Sequence, residues 1–154
     1  MKLTKASSYA LQAVAYLTQQ KDLTDPVASK KIAEVRKIPE RFLLKVLKPL
    51  VEKGLLTSVK GPGGGYKLAR PAAQISLADI IEAIDEDGLR GFNAGKKIGN
   101  ATINNRLEAI CKQTAESVRA HLETISVDDL VGKSTESKPK KSRDSINPVT
   151  NPRK

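Results

Sequence analysis

From residue 4 to about 20, apolar positions recur at helical spacing, with Tyr9, Leu11, Val14, Tyr16 and Leu17 interleaved with alanines on one broad face. The pattern predicts a helix there, followed by a loop, KDLTDP, closed by Pro26. A short helix is predicted over 29–36 (SKKIAEVR), with Ile32, Ala33 and Val35 turned inward. After a turn through Lys37 and Ile38, Pro39 stands in the first turn of the next helix, where its missing N–H costs nothing. That third helix, 39–53, is expected to bury Phe42, Leu43, Val46, Leu47, Leu50 and Val51. Its opposite face shows Arg41, Leu44, Lys45 and Lys48. Pro49 is expected to kink it or loosen its last turn, and Gly54 is a suitable stop.

The periodicity then shortens. Residues 55–60 (LLTSVK) and 66–70 (YKLAR) read as two strands around Gly61-Pro62-Gly63-Gly64-Gly65, a hairpin with a glycine tip. Ser76 starts a further helix, with Asp79 as its capping-box partner and Ile80, Ile81 and Ile84 as its stripe. Residues 86–100 contain four glycines and read as an irregular loop. A long helix over about 101–124 carries Ile103, Leu107, Ile110, Thr114, Val118 and His121/Leu122, steps of three and four that suit pairing with another helix. Ser126 caps a last helical turn. From Gly132 onward the chain is polar and basic, and disorder is expected there. The expected fold is mainly α. A winged helix-turn-helix domain occupies 1–85, a loop 86–100, a dimerisation helix with closing turn 101–131, and a basic tail 132–154.

Composition sharpens this picture. Hydrophobic residues make up 39% of the 154 positions, enough for one core, but aromatic residues make up only 3%, so that core is aliphatic. One cysteine excludes an internal disulfide and any Cys-rich zinc or iron–sulfur site within one chain. One histidine removes His-pair metal motifs. No segment approaches the length of a membrane span, and the N-terminus lacks a signal-peptide core, so a cytoplasmic location is expected. The net charge of +10 is unevenly spread. Residues 30–70 hold eleven Lys and Arg against Glu34, Glu40 and Glu52, a net +8, whereas residues 71–131 hold six against ten acids, a net −4. So heavy a basic segment exceeds what solubility requires and implies a polyanionic partner.

A helix, short helix, turn, basic helix and hairpin, in that order, make a winged helix-turn-helix. Its second helix presents cationic side chains to the major groove, and its wing reaches phosphates or the minor groove. The expected DNA contacts are Lys30, Arg41, Leu44, Lys45 and Lys48 from the helices, with Lys60, Gly61, Gly63, Gly64, Tyr66 and Lys67 from the wing. Tyr66 is also expected to pack the wing onto the recognition helix. The plainer alternative is a three-helix bundle with a solvated basic face. A nucleotide-binding reading of the glycine turn fails, because no Gly-Lys-Ser/Thr follows and a strand comes next. Asp85, Glu86 and Asp87 have no nucleophile or metal partner beside them and read as surface charge, so no enzyme is expected.

Over residues 1–131 the chain resembles the Rrf-two (IscR-type) family of bacterial winged-helix transcription regulators. The resemblance rests on MKLT…YAL, PVASKKIAE, IPERFLLKVLKPLVEKGLL, SVKGPGGGYKLAR, ISLADIIEAID and LETISVDDLV, of which SVKGPGGGYKLAR is the most specific. It implies a homodimer on a palindromic DNA operator, with the long C-terminal helix crossing to the partner through Ile103, Leu107, Ile110, Cys111, Val118 and Leu122. Many members hold an iron–sulfur cluster with three cysteines in the loop before that helix and a fourth ligand near its start. Here the loop has no cysteine. Asn105 falls at the third cysteine's place and Glu108 at the fourth ligand's. A carboxylate without thiolates cannot hold such a cluster, so neither metal nor cofactor is expected.

Cys111 reads as a small packed residue, with a thiol switch as the alternative. His121 reads as a polar residue at solvent or an interface. The function expected is a sequence-specific regulator, a repressor, answering to a metabolite, a protein partner or thiol oxidation. Cluster-free relatives with an enzyme partner make a protein effector plausible by resemblance. The competing reading is an interaction module for structured RNA or an acidic protein.

Overall fold

The computed structural model describes residues 2–89 and 94–133. The expected tail therefore lies outside the described residues beyond Lys133, as do positions 90–93 of the expected loop. Helix α1 (Lys5–Thr18) begins where the Thr4 hydroxyl accepts the Ser7 N–H at 3.1 Å. Helix α2 (Ser29–Arg36) ends on Lys37, a left-handed residue at φ 53° and ψ 44°. There the Ile38 N–H donates back to the Ala33 carbonyl at 2.9 Å. This tight stop turns the chain into α3 (Glu40–Glu52), which continues through Pro49. Gly54, at φ 72°, ends α3 in a Schellman motif: the Leu55 N–H reaches the Leu50 carbonyl at 2.9 Å and the Gly54 N–H reaches that of Val51 at 3.0 Å.

Strands β1 (Leu56–Val59) and β2 (Gly65–Leu68) pair antiparallel, with Leu56 opposite Leu68 and Val59 opposite Gly65. A 3-10 turn over Ala72–Gln74 leads into α4 (Leu77–Ile84). Its capping box is reciprocal, as the sequence predicts: Ser76 Oγ accepts the Asp79 N–H, and Asp79 Oδ2 accepts the Ser76 N–H, both at 3.0 Å. Helix α5 (Ala101–Glu123) starts at Asn100, whose side chain accepts the Thr102 N–H at 2.8 Å. Helix α6 (Val127–Leu130) closes the described chain with a second capping box, Ser126 with Asp129.

The core is aliphatic. Val14, Ile32, Leu43, Leu47, Leu50 and Ile80 are fully buried where α1 packs against α3 and α4. Val127, after the long helix, belongs to the same core. Two backbone pairings outside the hairpin tie distant segments together. Val27 exchanges hydrogen bonds with Tyr66, each 2.9 Å, so the segment before α2 adds a third rung to the wing. Ser76 lies opposite Ser126, with Leu77 N–H on the Ile125 carbonyl and Val127 N–H on that of Ile75, each 2.9 Å.

Two expectations are corrected. Val35 is 51% exposed rather than turned inward, and Phe42 is 52% exposed rather than buried. Both helices bury a narrower arc than the hydrophobic pattern suggests. In α2 only Ile32 and Ala33 reach the core, and in α3 Leu43, Val46, Leu47 and Leu50 do. Phe42 sits one position, about 100°, away from Leu43 and so falls on the flank.

Candidate nucleic-acid interface

Leu43, Leu47 and Leu50 anchor α3 inward, which leaves Arg41, Lys45 and Lys48 on its outer side, all exposed. Leu44 is exposed beside them. The start of α2 is held against the first turn of α3 by a hydrogen bond from Ser29 Oγ to Glu40 Oε1 at 3.1 Å. Lys30, next to Ser29, is exposed. Few partners satisfy these cations. Lys48 lies 4.0 Å from Glu52, at the limit of an ion pair, and Lys45 Nζ lies 5.7 Å from the Phe42 ring centroid. Lys30, Arg41 and Lys60 form no ion pair among the described residues. Such a surface keeps its positive potential for an external anion.

The wing is built by close approach. A Cβ at Gly65, where φ is +152°, would lie 2.2 Å from the Val27 carbonyl oxygen, so only glycine permits the Val27–Tyr66 pairing. Lys60, Gly61 and Gly63 are exposed at the tip. The Gly64 N–H is already committed to the Gly61 carbonyl at 2.9 Å. Tyr66 is half-buried and packs against the main core. Lys67 is half-buried too, and its Nζ donates to the Thr24 carbonyl at 3.4 Å. Of the two lysines flanking the tip, Lys60 is therefore free and Lys67 is partly spent on the loop before α2.

Helix α5 divides the expected seam in two. Toward its N-terminus, Ile103 is 64% exposed and Ile110 59%, with Leu107 also exposed. Farther along, Leu122 packs on Ala78, Ile81 and Leu89 of its own protomer, Val118 is half-buried, and Cys111 and Ala115 are buried. Arg119 fastens this second stretch to α4, donating from Nε and Nη2 to the two carboxylate oxygens of Glu82 and pairing with Glu123 at 2.7 Å. The Glu82 hydrogen bond and charge, with Glu123 behind them, hold the guanidinium above its already high ordinary pKa. His121 is exposed.

The donor atoms do not fit an iron–sulfur cluster. The single thiol of the chain, Cys111, is buried inside α5. Glu108 is engaged by Lys97 at 3.7 Å, and no group of three or more His, Cys, Asp or Glu side chains suited to a metal exists among the described residues. Thiolates hold such clusters, and the Asn105 and Glu108 positions supply none, while the one thiol, Cys111, is buried.

A helix-turn-helix whose second helix bears unpaired cations, followed by a glycine-tipped wing, defines a DNA-binding protein of the winged-helix class. The chain belongs to the Rrf2 family: residues 3–133 match it, under the description iron-dependent transcriptional regulator. It is 33% identical to the IscR transcriptional regulator of Xenorhabdus nematophila over 134 residues, 85% of this chain and 79% of that protein. It is 31% identical to IscR of Cereibacter sphaeroides over 123 residues, 79% of each. Among solved structures, T. potens IscR superposes with a TM-score of 0.66 at 26% identity, covering 88% of this chain and 90% of the other. CymR of B. subtilis superposes with a TM-score of 0.67 at 23% identity, covering 88% and 99%, a likeness of fold. These relatives are transcriptional regulators, not enzymes, and this chain is a helix-turn-helix transcriptional regulator. No described helix is long and apolar enough to cross a membrane.

Sequence reasoning missed Phe42 as a surface residue, Val27 as part of the wing, and the Arg119–Glu82 clasp. For Val27 a signal existed: three glycines running straight into a strand mark a place where another backbone comes close.

Proposed function

We propose that two copies of this chain pair through the first half of α5 and bind a palindromic operator as a repressor, without an iron–sulfur cluster, on the bacterial nucleoid. The observation that carries this reading is the row Ile103, Leu107, Ile110, three aliphatic side chains at steps of four and three that the described residues leave exposed, at 64%, 43% and 59%. Pairing across a two-fold axis removes that row from water and places two α3 helices in successive major grooves. Two half-sites then combine through a high effective concentration. Cys111 borders this interface without lining it. Val118 and Leu122 contribute by holding α5 on α4, so the pairing rests on fewer residues than the whole seam. The input is a metabolite, a protein partner or oxidation of Cys111. The contacts on DNA come from Arg41, Lys45, Lys48 and Lys60, with Lys30 and the tip glycines on adjacent phosphates.

Light scattering together with operator titration tests the proposal. Ile103→Asp combined with Ile110→Asp changes only exposed positions, so a folded monomer with lost operator affinity is expected. A dimer that survives both substitutions would place the interface elsewhere. Saturable binding to structured RNA or to an acidic protein, with none to any DNA duplex, would favour the interaction-module reading instead.

A further inference from the structure

The outer side of α3 is not uniformly polar. Arg41, Lys45 and Lys48 form a cationic line, and at about 100° per residue Phe42 falls on one flank of it and Leu44 on the other. Both apolar side chains face water, Phe42 at 52% and Leu44 at 43% exposure. Phe42 is one of only two phenylalanines in the chain. Leaving so scarce and large an apolar group at the surface forfeits the burial that would otherwise stabilise the core. The Lys45 ammonium lies 5.7 Å from the ring centroid, so the ring stands beside the cationic line and not away from it.

We infer that Phe42 and Leu44 read thymine 5-methyl groups, so that each operator half-site carries thymines at positions bracketing those contacted by Arg41 and Lys45. The inference rests on the DNA-binding reading of α3 and specifies what that helix reads. In the major groove the thymine methyl is the apolar feature among the base-edge groups, and an apolar side chain is its natural complement. Arg41, Lys45 and Lys48 draw the helix against the negatively charged duplex, and that same approach brings both flanks to the base edges. A Phe ring has few rotatable bonds, so ordering it on DNA costs little entropy. A second copy of the chain is a less fitting occupant. Three adjacent cations surround these residues, and a like-charged twin would be repelled from them.

The test uses the full chain and a duplex selected from random-sequence DNA. Each thymine is replaced singly by deoxyuridine, which removes the methyl and leaves the hydrogen-bonding edge unchanged. Wild-type protein is expected to lose affinity at two positions per half-site, about fourfold per methyl. Phe42→Ala should be indifferent to uracil at one of these positions, and Leu44→Ala at another. Because the scan is read first on wild-type protein, a misfolded variant cannot decide it. A flat uracil scan overturns the inference while leaving DNA binding intact, as does a penalty that persists undiminished in both variants. Absence of any sequence-dependent duplex binding by the wild type would instead remove the reading on which it rests.

Discussion

Arg119 of α5 grips both carboxylate oxygens of Glu82 on α4. The pair links the proposed dimerisation helix to the domain that carries α3, so the angle between the two is set by a salt bridge as well as by packing. Bidentate geometry makes it stronger than an ordinary surface pair, but Arg119 is 40% exposed and water screens it. Arg119→Met is expected to lower stability only slightly, and less still at high salt. Operator affinity should fall beyond what that loss explains, although Arg119 is not among the proposed DNA contacts. Thermal unfolding and operator titration of the same preparation measure the two effects.

Electrostatics sets the salt response. In the proposed dimer, Arg41, Lys45, Lys48 and Lys60 of two subunits would supply roughly six to eight contacts. Affinity should then fall about 10³–10⁵-fold between 50 and 200 mM salt. Anisotropy titrations across that range check it, and a flat response would show that this face does not meet nucleic acid.

Positioning and reading are expected to separate on α3. Arg41 stands in the first turn and has no ion-pair partner among the described residues, so Arg41→Ala should cost about 1–3 kcal/mol and relax preference at one position per half-site. Lys48→Ala, whose side chain already leans toward Glu52, should weaken cognate and scrambled duplexes alike. Comparing both variants on both duplexes distinguishes the roles.

Gly65→Ala should sever the Val27–Tyr66 pairing, because the new Cβ would meet the Val27 carbonyl oxygen. A loss of about 2–4 kcal/mol is expected, in the range of strained backbone substitutions. Urea unfolding measures it. Faster amide exchange at Val27 than in wild type would locate the damage.

Lys37 presents the opposite case. A lysine holding φ 53° at the end of α2 carries a strain that glycine would not, so Lys37→Gly should stabilise the protein by about 0.5–1 kcal/mol. A melting temperature unchanged or lowered would contradict this.

Elements governed by local signals are legible from the sequence. Ser76 with Asp79, Gly54 after α3, and the glycine run between two β-patterned stretches each fix their own boundaries, and the helices fall within a few residues of the predicted spans. What eludes the sequence depends on which surfaces meet. Nothing local reveals that Phe42 lies outside the arc covered by α1, or that the C-terminal part of the α5 seam is consumed by Ala78, Ile81 and Leu89 of the same chain. The cationic side chains of α3 follow directly from helical spacing. That Lys67 bonds to Thr24 and Lys60 does not could only come from the fold.

The strand-like pairing of Ser76 with Ser126 means that the reader of DNA is not a portable module. Val127 fills the centre of the domain only after the chain has run out along α5 and come back. A fragment ending before it would lack both that side chain and the backbone rung beneath it. Reading head and dimer arm are thus expected to melt as one cooperative unit, and association through the arm should raise the melting temperature of the head as protein concentration rises.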